Sequence, residues 1–556
     1  MSNNAHSLRI VPLGGFGEIG MNCLAIETHD ELLIVDCGVQ FPSEPRLGVD
    51  VIHASFEYLL SKRDKIAGLV ATHGHEDHIA AIPFLLEQLS IPIFAGPYTV
   101  ALLQSRLQEF PRLRKIQFNV IENALPFHVH NFIITPIRMP HSTVDNFALL
   151  IETPAQNNHS GYRIFHTSDF KLNVKHPTDN ADILSTLRAL QPVDLMITDS
   201  TGSLEQEDAG DEDTLIEHLE ELIVDAPGRV FIALFSSNIE RIRNLIKIAE
   251  HTGRHISLSG RSVLNHYRIA RETGDIPSTA PVLIPEQSAH HLNDTELIVL
   301  LSGTQGESRS ALGRFASGKH SQFTPISTDT VILSSRFIPG NELQISRTIS
   351  RLVEQQVQVF HRNNWQRIHV SGHGSKNEIL AAMNAVSPRA LLPAHGTFEH
   401  LQATANLAKE AQIPSTVTAT NGDVISLTDG ILTIDEKIAH GKIFIENNRP
   451  LPEAQVRERH RISNHGTYVI WASLCKRVSP PSILIRQHTL GVVPESGKES
   501  LFHSVEQIIQ DTIQQISVRK MTNELLQKEI KIAIRKYLRN QFGRNPIFSI
   551  YIDLES

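Results

Sequence analysis

The sequence predicts an α/β protein in which a metal-binding domain is interrupted by a second α/β domain and followed by a small α+β domain. Three observations predict this. Strand-like and helical runs alternate to about residue 200. Several of those strands end on a histidine or aspartate, and the same strand-then-histidine pattern returns near residue 366 after a block of further β/α units. One strand end carries Thr72-His73-Gly74-His75-Glu76-Asp77-His78, which gathers three imidazoles and two carboxylates within six residues.

The elements follow in order. Leu8 to Leu13 reads as a strand, and Gly14-Gly15-Phe16-Gly17-Glu18-Ile19-Gly20 contains a G-x-G-x-x-G pattern. A dinucleotide site requires that pattern to open a helix, yet Gly20 leads into the strand-like run Cys23 to Glu27, then a turn at Asp30-Glu31 and a strand Leu32 to Val35 ending at Asp36. An antiparallel start with no nucleotide cofactor is expected. The apolar run Ile66 to Ala71 precedes the histidine cluster, and Ile79 to Leu89 reads as a helix. Further strands are Pro92–Ala95, Phe132–Arg138, Phe147–Glu152, Arg163–Thr167 and Leu195–Thr198, with His141, Asp169 and Asp199 just beyond three of them. The acidic stretch Glu205 to Asp213 reads as an exposed boundary. After it come a helix (Thr214 to Val224), a buried strand (Arg229 to Phe235), a helix (Ile239 to His251) and more β/α units to about residue 360. Strand-then-histidine segments resume at Arg367 to Ser375 and Ala390 to Thr397. Residues 446–465 read as a charged, irregular linker, and the tail supplies strands Tyr468–Ala472, Ser482–Arg486 and Ile547–Leu554 with helices Leu501–Gln515 and Asn523–Asn540. The expected limits are 1–205 and 366–445 for the two parts of the metal-binding domain, 206–365 for the insert, and 466–556 for the last domain.

Composition narrows the function. A chain of 556 residues holds several domains. No run approaches 18 uninterrupted apolar residues and the start is polar, so neither a membrane span nor a secretory signal is expected. Three dispersed cysteines argue for a reducing, cytoplasmic setting and against a cysteine-based zinc site. The net charge of −9 disfavours bulk polyanion binding over the whole surface, while a basic channel remains compatible with an acidic shell.

Imidazole with carboxylate suits Zn²⁺ or Mn²⁺. Four ligands so close in sequence point different ways and do not fit one tetrahedral ion, so two ions are expected. His73, His75 and His141 would hold one, Asp77, His78 and His395 the other, and Asp169 would bridge them. Ions about 3.5–4 Å apart can polarise a phosphoryl oxygen and stabilise both attacking and leaving oxygens. Asp36 and Asp199 are expected to orient ligand histidines, or to act as simple caps, rather than to bind metal.

The His-x-His-x-Asp-His run resembles that of the metallo-β-lactamase superfamily. The remaining motifs resemble its nuclease branch with a β-CASP insert and, within that, the ribonuclease J family. They are Gly14 to Asn22, Asp36-Cys37-Gly38-Val39, Thr72 to His78, Asp199-Ser200-Thr201, Phe235 to Arg241, Gly260-Arg261-Ser262, Ser302 to Glu307, Ser334 to Glu342, Val370 to Ser375 and Pro393-Ala394-His395-Gly396. They span about residues 8 to 400 in the family's order.

The resemblance implies an αββα sandwich carrying the β-CASP insert, and a two-metal ribonuclease using zinc or manganese. It implies 5′-to-3′ exonuclease action on 5′-monophosphate RNA together with internal cutting, in RNA decay and processing. Ser371, Gly372 and His373, with His369 and Val370, would bind phosphate, and Ser236, Ser237 and Asn238 would contact a 5′-terminal monophosphate. Asp77 and Asp169 would hold the ions and orient the attacking water, and His373 would steady the phosphoryl oxygens or protonate the leaving 3′ oxygen. A homo-oligomer, dimer or tetramer, and membership of an RNA-degradation complex are implied as well. Ser168 stands where the family usually has Gly, and Gly202 where it usually has Asn. Some relatives hold a structural calcium near the loop matching Gly48-Val49-Asp50, whose remaining ligands are not evident in the sequence.

Basic residues of the tail (Arg519, Lys520, Lys528, Lys531, Arg535, Lys536, Arg539, Arg544) lie mostly on or beside the last helix, opposite Ile530, Ile534 and Leu538. They read as a solvated face or as an assembly or RNA contact. An inert RNA-binding scaffold would be expected to lose ligands, and all seven are kept. A small-molecule hydrolase needs no polymer-sized insert. A DNA-directed nuclease is not separated by motif alone.

Overall fold

Leu8–Gly14, Cys23–Glu27 and Leu32–Val35 are buried almost without interruption, as expected of strands covered on both faces. They pair antiparallel in chain order, as read from the sequence, and no helix follows the glycine loop. Instead Phe16–Gly17 forms a two-residue strand parallel to Gly396–Thr397, so the loop packs its backbone beside His395. Gly14 permits the close approach, since a Cβ there would lie 1.9 Å from the Met21 carbonyl oxygen.

The chain is seen in a computed structural model that describes residues 8–555 apart from 43–46, 114–115, 156–160, 173–176, 207–209, 211, 278–281, 338–340, 366–367, 476–481 and 517–521. Ile338, Pro339, Gly340, Arg367, Glu207, Asp208, Ala209, Asp211, Arg519 and Lys520 thus lie outside the described residues. Two units emerge, one of residues 1–44 and 51–442, the other of residues 45–50 and 443–556.

In the first unit an eight-stranded sheet runs, edge to edge, through Ile431–Lys437, Asp423–Thr428, the three strands above, Ile66–Val70, Ile93–Ala95 and Phe118–Val120. A seven-stranded sheet runs through Phe127–Val129, Phe132–Arg138, Phe147–Glu152, Arg163–His166, Leu195–Asp199, Ala390–Ala394 and Ser415–Thr416. Ile10, Leu24, Ile134, Leu149, Ile197 and Leu392 belong to one core joining the two sheets. The outer side of the second sheet packs Phe165 and Met196 against Leu187, Ile379 and Met383 of helices Pro177–Ala189 and Lys376–Val386. This is the αββα sandwich expected from the resemblance. Leu195–Asp199 and Ala390–Ala394 are parallel neighbours with Asp199 opposite Ala394. The insert between them is a six-stranded, wholly parallel sheet in the order Leu283–Ile284, His255–Ser259, Leu297–Leu301, Val230–Ala233, Thr330–Leu333, Gln358–Phe360.

Three local readings are corrected. Ile79 to Leu89 is not one helix but two short ones, Glu76–Ile79 and Ile82–Leu86. Pro83 cannot donate a helical hydrogen bond, and the Ala81 N–H bonds to the Cys37 carbonyl instead of continuing the ladder. Residues 446–465 are not irregular. They contain strand Arg449–Leu451 and helix Glu453–His465, which buries only Val456 and so shows no apolar stripe to read. The acidic stretch is not wholly exposed, because Glu212 is buried against Arg241 at 2.7 Å and Glu205 pairs with Arg336.

In the second unit, Thr467–Cys475 is the central strand between Ser482–Leu490 and Ile547–Glu555. Its apolar core includes residues of helices Lys498–Gln515 and Asn523–Phe542. Beside Gly48-Val49-Asp50, the Arg459 guanidinium donates to the Leu47 carbonyl (2.7 Å) and to both oxygens of Glu446 (2.9 and 2.8 Å). The Glu446 carboxylate beside that loop is therefore already neutralised by a fixed cation.

Candidate metal centre

Strand Ile66–Val70 delivers the chain to Thr72, whose N–H and hydroxyl donate to the two oxygens of Asp36 (2.7 and 2.9 Å). The second of those oxygens also holds His78 Nδ1 at 2.8 Å, which turns His78 Nε2 toward Asp169 Oδ2, 3.2 Å away. His141 is oriented the same way by the Gly372 carbonyl on its Nδ1 (2.6 Å), and its Nε2 lies 3.1 Å from His75 Nδ1. His73 is flanked by the Thr72 and Ser168 hydroxyls at Nδ1 (3.0 and 3.3 Å), and its Nε2 is buried without a partner, 3.9 Å from Asp169 Oδ2. His395 meets Asp169 Oδ1 at 2.7 Å through Nδ1, while its buried Nε2 has no hydrogen-bond partner and stands 3.5 Å from Asp77 Oδ2.

Two convergent groups result, each with its donor atoms within 4.8 Å of one another. One is His73, His75, His141 and Asp169; the other is Asp77, His78, Asp169 and His395. These are the two sets expected from the sequence, with Asp169 common to both. A third group, Asp169, Asp199, His373 and His395, was not foreseen. All three lie around Asp169, and among the described residues no other such group converges.

The donor set fits divalent metal. Burial keeps His73 and His141 well below the usual imidazole pKa and His75 down at about 4, so their nitrogens retain free lone pairs. Asp169 is only 2% exposed; burial would raise its pKa, but His395 and His78 outweigh that and hold it well below the carboxylate range. Against burial, the Asp169 carboxylate holds His78 and His395 above the usual imidazole pKa, and a divalent cation would displace those protons and complete the buried anion beside the unpartnered Nε2 atoms of His73 and His395.

His373 lies at the rim. Its Nδ1 pairs with Asp199 Oδ2 at 2.7 Å. Burial opposes charge on the ring, and the Asp199 and Asp169 carboxylates more than compensate, raising it to about 9. Asp199 thus grips His373, as Asp36 grips His78. Asn22, which sequence reasoning did not assign, brings Nδ2 to 3.3 Å from Asp77 Oδ2 and 3.0 Å from His78 Nε2. His166, also unassigned, accepts the Ser168 N–H at Nδ1 (3.1 Å). Only the position of Asn22 after the glycine loop pointed to it.

Both departures from the family pattern have local reasons. Ser168 has φ +56°, a conformation that glycine tolerates best. Here its hydroxyl donates to Asn146 Oδ1 (2.9 Å) and touches His73. At Gly202 a Cβ would lie 2.0 Å from the Gly374 carbonyl oxygen, so no larger residue fits this backbone. Asp36 and His395 also hold positive φ (60° and 48°), strain of about 1–3 kcal/mol per residue kept at the centre. Gly38 is sterically obligatory, since a Cβ would sit 1.7 Å from the Asp77 carbonyl oxygen. Gly38→Ala is therefore expected to push the Asp77–His78 peptide away and weaken metal binding by roughly tenfold to a hundredfold. Equilibrium dialysis reads this, and wild-type affinity in the variant would overturn it.

The expected phosphate-binding residues are distributed as follows. His369 stands among cations: burial, then Arg241, Arg362, Arg336 and Lys171, push its imidazole well down. A Cβ on Gly372 would meet the Ser142 hydroxyl at 2.7 Å. Ser371 Oγ is engaged locally, donating to the His373 carbonyl (2.9 Å) and accepting its N–H (3.1 Å). Val370 is buried. Ser236 and Ser237 are half-buried in the loop after Val230–Ala233, while Asn238 is buried and caps helix Ile239–Thr252 by accepting the Arg241 N–H (3.1 Å). Arg241 then donates to Ser334, whose hydroxyl donates to the Ile368 carbonyl (2.6 Å), tying the insert's loop to the segment before His369.

Four family models match the chain. They describe a β-lactamase superfamily domain over residues 33–232, a ribonuclease J β-CASP domain over 227–352, a Zn-dependent metallo-hydrolase RNA specificity domain over 364–417, and a ribonuclease J C-terminal domain over 454–552. The chain is 31% identical to ribonuclease J of Helicobacter pylori, covering 98% of this chain and 79% of that one. It is 32% identical to ribonuclease J of Thermus thermophilus (97% and 94%) and 28% identical to that of Synechocystis (100% and 88%). A crystal structure of an Enterococcus faecalis protein of unknown function shares the fold over 76% of this chain and all of that one, with TM-score 0.54 at 16% identity.

Proposed function

The chain belongs to the ribonuclease J family of metal-dependent ribonucleases, and from that premise we propose that it degrades RNA from the 5′ end and also cuts internally. The observation that carries the reading is the pair of ligand groups sharing Asp169, with the His373–Asp199 pair beside them. Two ions, zinc or manganese, would be held by His73, His75 and His141, by Asp77, His78 and His395, and by Asp169 between them. When bound they supply Lewis acidity toward the phosphoryl group and the attacking water.

The chain's own groups do the rest. Asp77 and Asp169 orient the water. His373, charged and held by Asp199 at Nδ1, keeps its other nitrogen free to steady a phosphoryl oxygen and to hand a proton to the leaving 3′ oxygen. Products carry 5′-phosphate and 3′-hydroxyl. Backbone N–H groups of Val370 to Gly372, with His369, Ser236, Ser237, Asn238 and the His373 ring, form the phosphate pocket, and Arg241, Arg336, Arg362 and Lys171, only partly offset by Glu205 and Glu212, keep its surroundings positive.

We take 1–205 and 366–445 as the metal-binding domain, 206–365 as the insert, 446–465 as the connecting segment and 466–556 as the last domain. We further propose a cytoplasmic homo-oligomer, dimer or tetramer, acting within RNA-degradation machinery; light scattering on the intact protein decides the assembly. No described helix is long and apolar enough to cross a membrane.

The test is a time course on matched 5′-monophosphate and 5′-triphosphate RNA oligomers and a DNA counterpart, with Mn²⁺, with Zn²⁺ and with chelator. Mononucleotides released from the 5′ end, faster on monophosphate RNA and absent in chelator, are expected. Equal rates on both 5′ groups would remove the 5′-phosphate pocket from the proposal.

A further inference from the structure

Side chains alternate along the three strands of the C-terminal sheet. One set, including Tyr468, Ile470 and Leu474, is buried in the unit's core. The other set faces water and is unusually apolar: Val469, Leu484, Leu490 and Tyr551 are 37%, 56%, 57% and 58% exposed. Strand register places Arg486, Trp471 and Tyr551 in one row across the sheet, Trp471 being paired with Arg486 on one side and Tyr551 on the other. The Arg486 guanidinium lies over the indole at 5.7 Å from the ring centroid. On the same face His488 and Val469 occupy the row to one side of it, and Leu484 and Asp553 the row to the other.

This face belongs to a basic part of an acidic chain. Residues 443–556 hold sixteen Lys and Arg against eleven Asp and Glu, a balance of +5 in a chain of net charge −9, which leaves −14 for residues 1–442. The occupant must offer flat apolar surfaces for two adjacent rings and negative charge for their surroundings. Unpaired nucleotides meet both demands, because bases stack on aromatic and guanidinium faces while phosphates answer the positive field. A second copy of this unit would set +5 against +5.

We propose that the Arg486–Trp471–Tyr551 face binds unpaired bases of single-stranded RNA, as a holding site separate from the unit that carries the metal centre. Bound there, a long strand stays on the protein between cuts, whereas a strand of a few nucleotides that fills only the catalytic pocket gains nothing.

The experiment uses the full-length, metal-loaded protein and a labelled phosphorothioate RNA of about twenty nucleotides, whose linkages resist cleavage. The chain has two tryptophans, so Trp365→Phe leaves Trp471 as the sole indole reporter. Single-stranded RNA is expected to quench it, and a blunt duplex of the same length is not. By anisotropy, Trp471→Ala with Tyr551→Ala is expected to bind the strand roughly tenfold or more weakly, and Trp471→Phe, which keeps a ring, to bind near wild type. On cleavable RNA the double variant raises KM for long substrates and leaves kcat and KM unchanged for a four-nucleotide substrate. Wild-type affinity in the double variant, or equal quenching by the duplex, overturns the proposal. So does a lowered mass per particle in the double variant, which would make the face a contact between copies.

Discussion

Asp169→Asn is expected to abolish RNA hydrolysis and bound metal together, by roughly a thousandfold or more in rate, on the order of 4 kcal/mol of barrier. The reason is geometric. Oδ2 of this one carboxylate lies 3.9, 3.2 and 3.8 Å from the Nε2 atoms of His73, His78 and His141, and Oδ1 lies 2.7 Å from His395 Nδ1. An amide keeps the shape and removes the charge that both ligand groups share. It also presents N–H donors to imidazoles whose free nitrogens should face a cation. Metal content by atomic emission, measured on protein shown by circular dichroism to be folded, separates a failed centre from a failed fold. A folded Asn variant that keeps its metal and its activity would remove Asp169 from the site.

His373→Ala tests the other half of the arrangement. A loss of about 10²–10⁴ in kcat is expected, with metal content unchanged, because His373 lies outside the two ligand groups and is fixed by Asp199 instead. Asp199→Asn is expected to lose less. Adding it to His373→Ala should cost little more, since residues acting as one unit are not additive. The third convergent group makes the contrary outcome concrete: if His373→Ala sheds metal, His373 is a ligand and another group donates the proton.

Much of this centre was legible because the residues that converge in it follow strands. Periodicity marks the end of a strand, and a histidine or aspartate there is presented at a sheet edge, which is how His141, Asp169 and His395 were found. The partners of the ligands were less visible. Asp36 and Asp199 also end strands and were read as orienting groups; Asn22 follows a glycine loop whose pattern pointed elsewhere. The His373–Asp199 contact spans 174 residues, and no local pattern encodes such a distance. The helix expected over Ile79 to Leu89 failed because its Ala81 N–H answers to Cys37, a tertiary hydrogen bond that outweighs local preference. Helix Glu453–His465 was missed for the opposite reason, since a helix that buries only Val456 leaves no periodic trace.

The parallel pairing of Leu195–Asp199 with Ala390–Ala394 has a consequence for the life of the chain before it is finished. Between these neighbouring strands lie 190 residues, 200 to 389. A ribosome adding about 5–20 residues per second needs roughly 10–40 s to cross that interval. Throughout it the emerging polypeptide already carries His73, His75, Asp77, His78, His141 and Asp169, and it still lacks His373 and then His395. On the roles proposed for those two histidines, the ribonuclease is thereby unarmed while it is being made. The order of the residues, independently of any inhibitor, delays competence until most of the protein has been made.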